Sequence, residues 1–371
     1  MNRKNIKAVI VAGGLSSRMK EFKPLLEIGK TTIIEKTINN FKQLNIDDII
    51  VVTGFRGHEL EKRLTKYHLK FVKNVDYENT HMFDSVCIGL KEVKDAEFVF
   101  ISPADSPFVQ QFTLKKMFDE MNNENINLIQ PSFEGRNGHP LLLRMKYADS
   151  ILKHDGTKGL QGAIAKMGND FKNISFADPG IILDADTPED YFKIIEFIEN
   201  KSCPSLSLCR KIQKYFQMPD EVKAHSNKVL MLAMSLSSSL YKSGIKLNNR
   251  IIMASCLLHD IAKVRPCHAQ TGARWLKDMG YTEVSQIVNE HMELKEISKH
   301  PTEKELVYLA DKMVMGDKIV SIEEKFSAKE EMFRGDYEAL KAVKYRKKQA
   351  REIYNSIINL KGEYDETNQD R

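Results

Sequence analysis

Five short apolar runs, Ala8–Ala12, Asp48–Thr53, Phe98–Ser102, Leu128–Pro131 and Leu141–Leu143, alternate with longer amphipathic stretches through the first 200 residues, and then the alternation stops. Strands separated by helical lengths of chain build a mostly parallel sheet, because parallel neighbours need long crossovers. After Asp190 the apolar period lengthens to that of helices, and Cys203-Pro204-Ser205 and Met218-Pro219 punctuate the change. The expected architecture is an α/β domain over residues 1–200 and an all-α domain over residues 201–371 that ends in a helical extension. With 371 residues, 42% of them hydrophobic, each domain has enough apolar surface for its own core. Lys and Arg number 56 against 51 acidic residues, a balance that gives no nucleic-acid signature. The densest basic cluster, Lys344, Arg346, Lys347, Lys348 and Arg351, points several ways on a helix and reads as a solvated face. No apolar run approaches the ~20 residues of a membrane span or forms a secretory core, so a soluble cytoplasmic protein is expected. Cys87, Cys203, Cys209, Cys256 and Cys267 form no CxxC pair and read as free thiols.

The first run leads directly into Ala12-Gly13-Gly14-Leu15-Ser16-Ser17-Arg18-Met19, with Lys23 following. Strand, glycine turn and cations is a phosphate-binding order: glycines let backbone approach a polyphosphate, and Arg18 and Lys23 offset its charge. Neither GxxxxGK[ST] nor GxGxxG is present, which disfavours a P-loop or dinucleotide fold, and a bare strand-to-helix turn explains the two glycines equally well. Asp105 follows the buried run Phe98–Ser102 and so falls at a strand's carboxyl end, where open α/β sheets bind ligands. A carboxylate there suits Mg²⁺ held against nucleotide phosphates. In Asp184-Ala185-Asp186-Thr187-Pro188-Glu189-Asp190 a helix start accounts for Thr187, Pro188 and Asp190, leaving Asp184 or Asp186 as a second metal carboxylate.

These segments, with Gly138-His139-Pro140, resemble the MobA-like nucleotidyltransferases over about residues 6–198, closest to the molybdenum cofactor cytidylyltransferase branch. The resemblance implies a Rossmann-like domain that moves a nucleotidyl group from CTP or GTP to a phosphorylated acceptor, molybdopterin first among the candidates, and releases pyrophosphate. It implies nucleotide binding by Ala12, Gly13, Gly14, Ser16, Ser17, Arg18, Lys23 and Ser85, Mg²⁺ on Asp105 with Asp184 or Asp186, and acceptor contact at Gly138 and His139. Gly13 is closer to the guanylyltransferase branch, which keeps both bases open. Gly156-Thr157-Lys158-Gly159 resembles a Gly-Asp-Arg-Gly segment, with Lys158 keeping the charge but not the guanidinium fork.

In the second half, polar residues interrupt apolar stripes. His225 heads a stripe with Val229, Leu232, Leu236 and Leu240, His291 ends one with Val284, Ile287 and Val288, and Asp311 lies between Ala310 and Val314. A single histidine of this kind is usually a satisfied core residue, but a carboxylate on an apolar stripe is costly to bury without a counter-charge or a cation. His259-Asp260 and His268 supply further ligand types, although adjacent helical residues diverge by about a hundred degrees and spacing alone does not bring them together. The full order His225, His259-Asp260, His268, His291 and Asp311 resembles the HD phosphohydrolase superfamily over about residues 206–320. That resemblance implies one metal on His225, His259, Asp260 and Asp311, and a second through His268 and His291, with Asp260 bridging and the pair driving attack on phosphorus. Imidazole and carboxylate suit Fe, Mn or Zn. Lys263 fits either phosphate neutralisation or a solvated helix end. The expected partners are an NTP and a small phosphorylated acceptor, without nucleic acid or membrane. A sugar phosphate or other small phosphate as acceptor, with an HD domain that senses nucleotide without turnover, is the competing expectation.

Overall fold

The computed structural model describes residues 5–14, 21–184, 187–199 and 202–369. The chain divides into two compact units, Met1–Glu199 and Asn200–Arg371. The strands of the first are β1 (Ile6–Ala12), β2 (Glu27–Ile28), β3 (Thr31–Thr32), β4 (Ile49–Thr53), β5 (Lys70–Lys73), β6 (Phe98–Pro103), β7 (Leu128–Phe133), β8 (Arg136–Asn137), β9 (Leu141–Arg144) and β10 (Phe171–Ser175). One sheet runs in the order β10-β7-β9-β6-β1-β4-β5, with β8 on β7, while β2 and β3 form a separate hairpin. The β1 pairings with β4 and β6 are parallel, as are β4 with β5 and β7 with β10; β9 is antiparallel to both its neighbours. All five runs singled out in the sequence are strands of this sheet. The central ones are buried on both faces, which is why they read as continuous apolar runs.

Helices α1 (Ile33–Lys42), α2 (Gly57–Leu64), α3 (Met82–Lys91), α4 (Gln111–Glu120), α5 (Ala148–Leu152), α6 (Gly159–Ala165) and α7 (Pro188–Glu199) complete the unit. Val99 and Ile101 of β6 join Val86 and Leu90 of α3, Ile151 of α5 and Ile164 of α6 in one core. Successive strand residues face opposite sides, so Phe100 meets the other layer, where its ring lies 5.5 Å from that of Phe41 in α1. Gly89 lets α3 sit against the sheet, since a Cβ there would come within 2.3 Å of Val9 Cγ1. Helix α7 starts as the sequence indicates, with the Thr187 hydroxyl accepting from the Asp190 N–H and the Asp190 carboxylate accepting from the Thr187 N–H, each at 3.2 Å.

Helix α1 begins with a capping box in which the buried Glu35 carboxylate accepts from the Thr32 N–H at 2.8 Å. Lys66 and Arg63 reach the same carboxylate at 2.8 and 3.1 Å. Burial alone would raise its pKa, but Lys66, the Thr32 N–H and Arg63 together outweigh it and hold the group at about 2 rather than 4.5. The folded value lies below the unfolded one, so this stabilisation is complete above about pH 4.5 and is lost as pH falls through 2. Acid unfolding of Glu35→Gln, followed by circular dichroism, is expected to show a flatter pH dependence in that window than the parent chain.

The second unit consists of α8 (Leu206–Tyr215), α9 (Asp220–Lys242), α10 (Asn249–Leu258), α11 (His268–Asp278), α12 (Thr282–Glu290), α13 (Glu303–Lys312), α14 (Ile322–Met332) and α15 (Tyr337–Gln369), with one hairpin of β11 (Val314–Met315) and β12 (Lys318–Ile319). Two details differ from the periodic reading. Val314 is buried, but on β11, because α13 stops at Lys312. The most buried face of α9 is Ser226, Val229, Ala233, Ser237 and Leu240, which puts His225 at its edge instead of in its centre. Three of the five residues of the basic cluster on α15 pair with acids: Arg346 with Glu293, Lys347 with Glu330 and Arg351 with Glu323. All five cysteines are free. No helix among the described residues is long and apolar enough to cross a membrane.

Candidate active sites

The carboxyl ends of β1 and β6 open into a cleft of about 610 Å³, lined by Ala12, Gly13, Gly14, Lys23, Ser85, Asp105, His139 and Asp184 among others. This is the crevice where an open parallel sheet receives ligands. The Asp105 loop is anchored from behind: the Ala104 N–H donates to Val11 O at 3.0 Å, the Thr37 hydroxyl to Ala104 O at 3.0 Å and Asn40 Nδ2 to Pro107 O at 3.0 Å. Lys23 Nζ stands 3.9 Å from Asp105 Oδ2. Asp184 is exposed at the cleft, and Gly14 has open space before it. Ser16, Ser17, Arg18 and Asp186 lie outside the described residues.

Three residues not singled out in the sequence shape this cleft. A Cβ on Gly54 would come within 2.7 Å of Gly13 O and 2.9 Å of Gly13 Cα, so the turn after β4 props the glycine loop. Asn74 donates from Nδ2 to Ser85 Oγ at 3.1 Å and to Thr80 Oγ1 at 2.9 Å, fixing Ser85 beneath Gly13. His81, at the start of α3, borders both this cleft and an adjoining one of about 260 Å³. The readable signal for Gly54 is a glycine at the end of a buried strand next to β1. Gly54→Ala is expected to displace the loop and lower kcat/KM for the nucleotide by about 100-fold, the effect of a misplacement near 1 Å, in steady-state assays.

The adjoining cleft is lined by Gln130, Asn137, His139, Lys158 and Gln161, and it shares His139 with the first. The turn carrying His139 is rigidly placed. Gly138 N–H donates to Pro131 O at 2.8 Å, the His139 N–H to Ile181 O at 2.9 Å, and a Cβ on Gly138 would lie 2.2 Å from Ile181 O. Burial lowers the His139 pKa to about 4, so its ring is neutral near pH 7, and its Nδ1 is buried without a hydrogen bond.

In the second unit the ligand candidates converge, mostly from helix ends. His225 lies in the second turn of α9, His259 caps α10, His268 opens α11, His291 caps α12 and Asp311 occupies the last turn of α13. His259, the C-cap of α10, keeps helical backbone angles, and with Asp260 in the turn that follows the two neighbouring side chains still reach one centre. Asp260 Oδ2 lies 3.5 Å from His259 Nε2, while its Oδ1 lies 3.2 and 3.4 Å from His268 and His291 Nε2. Asp311 Oδ1 is 3.1 Å from His225 Nε2 and 3.9 Å from His259 Nε2. The Nδ1 atoms of His225, His259 and His291 meet the carbonyls of Gly316, Cys256 and Val288 at 2.9, 2.8 and 2.7 Å. A carbonyl only accepts, so each Nδ1 donates; the Nε2 atoms of His259 and His291 are then left to present a lone pair, while His225 Nε2 meets Asp311 Oδ1.

His259 Nε2, Asp260 Oδ1, His268 Nε2 and His291 Nε2 are buried and make no hydrogen bond. Buried ligand atoms that face one another without hydrogen bonds are costly unless a cation satisfies them, and this donor set fits divalent ions of the Fe, Mn or Zn type. Two triads have the spacing for a metal, His225-His259-Asp260 and Asp260-His268-His291, with Asp260 common to both. Burial lowers the His259 pKa to about 4, against the pull of Asp260 and Asp311. Burial opposes ionisation of both aspartates as well. For Asp260 the neighbouring His259, His268, His291 and Lys263 prevail, and for Asp311 Lys312, Lys325 and His225, so both stay well below the usual carboxylate range.

Lysines surround the ligands. Lys263 Nζ is 2.9 Å from Asp260 Oδ2, joining it to the site though half exposed. Lys312 Nζ bonds Asp311 Oδ2 at 2.7 Å and the His291 carbonyl at 2.8 Å. Lys325 Nζ donates to the carbonyls of Asp311 and Val314. Lys312 and Lys325 thus close the carboxyl ends of α12 and α13. The available signal for Lys312 was its place after Asp311, directly beyond the apolar run Leu306–Ala310.

Residues 8–171 match the MobA-like NTP transferase domain and residues 222–316 match the HD domain. The molybdenum cofactor cytidylyltransferase of Escherichia coli (strain K12) is 30% identical over 187 residues, covering 50% of this chain and 93% of that relative. The bifunctional protein GlmU of Francisella tularensis subsp. novicida (strain U112) is 29% identical over 145 residues, 38% of this chain, which spans only 31% of that relative's length. Among solved structures, a nucleotidyl transferase from Methanothermobacter thermautotroptrophicus is 21% identical with a TM-score of 0.47, covering 53% of this chain and 98% of that one. With a strand-end cleft in its first unit and a histidine–aspartate cluster in its second, the chain belongs to the MobA-like NTP transferase family and joins that nucleotidyltransferase to an HD domain.

Proposed function

We propose that the first unit transfers the nucleotidyl group of CTP or GTP to molybdopterin, with Mg²⁺, and that the HD domain hydrolyses a phosphoester with one or two ions of Fe, Mn or Zn. The observation that supports the transfer most is the pairing of a propped glycine loop with a rigid Asp105 and Lys23 across one cleft. Gly13 and Gly14 offer backbone to the triphosphate, Lys23 and Arg18 offset its charge, and Ala12, Ser16, Ser17 and Ser85 complete the nucleotide cradle. Asp105, with Asp184 or Asp186, would hold Mg²⁺, whose bound charge neutralises the phosphates during in-line attack. His139 and Lys158 line the smaller cleft, and with Gly138 setting the turn they orient a phosphorylated acceptor. Catalysis by positioning and charge requires no nucleophilic side chain.

For the HD domain, the four buried side-chain atoms without a hydrogen bond carry the reading. His225, His259, Asp260, His268, His291 and Asp311 would hold the ions, which polarise a phosphate and activate water when bound. Lys263 sits where it can meet a non-bridging phosphate oxygen. Labelled CTP or GTP with Mg²⁺ and molybdopterin is expected to release pyrophosphate. Release only with a sugar phosphate or another small phosphate would move the acceptor, and none with any NTP would overturn the transfer reading. The full chain with Mn²⁺ or Fe²⁺ is expected to release phosphate from phosphoesters; tight nucleotide binding without turnover would instead make the HD domain a sensor.

A further inference from the structure

Helix α14 lies beyond the matched HD segment, yet it forms part of that domain's pocket. The pocket of about 320 Å³ is lined by His225, Asp260 and Asp311 together with Lys263, Lys312, Lys325 and Lys329. Lys325 and Lys329 are one turn apart on α14 and so point the same way. Three of the four ammonium groups are already committed. Lys263 contacts Asp260, and Lys312 and Lys325 contact Asp311. The Lys329 ammonium makes no ion pair and no hydrogen bond among the described residues, and its only ring neighbour there is Phe326, 6.0 Å away. Burial, with Lys325 and Lys312 nearby, brings its ammonium down to about 8, so it remains mostly charged at pH 7 among like charges. An incoming anion relieves that repulsion.

Resting on the hydrolytic reading of the site, we infer that Lys329 selects a terminal phosphate monoester over a phosphodiester by binding the non-bridging oxygen that only the monoester has to spare. A phosphodiester offers two non-bridging oxygens and one negative charge. A terminal phosphate offers three oxygens and nearly two charges at neutral pH. Two oxygens suffice to face the ligand cluster and Lys263. The third, with the additional charge, meets the one ammonium of the wall that lacks a carboxylate partner. Lys329 is thus a specificity-determining residue supplied by the helix that follows the HD match.

The test uses the full chain with Mn²⁺, comparing the parent with Lys329→Gln and Lys329→Arg. Turnover is measured with p-nitrophenyl phosphate and bis(p-nitrophenyl) phosphate, and binding with inorganic phosphate and dimethyl phosphate by calorimetry. Lys329→Gln is expected to lower kcat/KM for the monoester and affinity for inorganic phosphate by about 10- to 100-fold, the range of a hydrogen bond to a charged group, with both diester compounds changed less than about 3-fold. Lys329→Arg is expected to restore most of the loss. Equal losses for monoester and diester, or unchanged phosphate affinity in Lys329→Gln, would overturn the inference. If the parent turns over neither ester, the hydrolytic reading fails, while phosphate binding that depends on Lys329 still upholds the anion site.

Discussion

Asp311→Ala is expected to remove the metal and much of the stability of the second unit together. Its carboxylate, buried beneath the pocket, has Oδ2 2.7 Å from Lys312 Nζ and Oδ1 3.6 Å from Lys325 Nζ, besides its contacts with His225 and His259. Removing one partner of a buried ion pair leaves the other charge uncompensated, at a cost of about 3–5 kcal/mol. Here two ammonium groups are left, and neither can turn to water without abandoning the carbonyls at the ends of α12 and α13. Urea unfolding and metal analysis of the purified variant test this. Asp311→Ala combined with Lys312→Met should recover part of the lost stability, because one stranded charge is gone, but none of the metal. Full metal content in either variant would remove Asp311 from the ligand set.

The second large effect is expected at Asp105, where Asn substitution should lower kcat for nucleotidyl transfer by about 1,000-fold, the scale seen when one group that stabilises transition-state charge is lost. Stability should change by less than about 1 kcal/mol, since Asp105 lies at the open cleft and its loop is held by Thr37, Asn40 and Val11 through other atoms. Pyrophosphate release and thermal unfolding measured on the same preparation separate the two. A drop of similar size in both would mean that Asp105 is a structural residue.

The central strands were legible because β1, β4 and β6 are covered on both faces and must be apolar throughout. The edge strands β5 and β10 were not: Lys70, Lys73 and Lys172 and half-buried neighbours give them the look of loops. At the HD site, His225, His291 and Asp311 were visible as polar residues on apolar stripes, whereas His259, Asp260 and His268 were legible only through the resemblance, because their convergence depends on how the ends of α10, α11 and α12 meet. Periodicity within one helix does not reveal that meeting. Lys312 and Lys325 were hidden for a different reason. A lysine on an amphipathic helix ordinarily reads as solvated, and these two are buried because carbonyls at two helix ends and Asp311 all need donors or positive charge in one place. For Gly54 the sequence shows a glycine at a strand end but not its contact with Gly13, which arises only when β1 and β4 lie side by side.

The hydrogen bond between His225 Nδ1 and Gly316 O spans 91 positions of the chain. Closing so long a loop is entropically expensive, and contacts of such separation tend to form late in folding. Metal capture is therefore expected to report the completion of the bundle rather than its nucleation: a nascent chain stalled just before residue 316 would carry all six candidate ligands and still have no oriented first histidine.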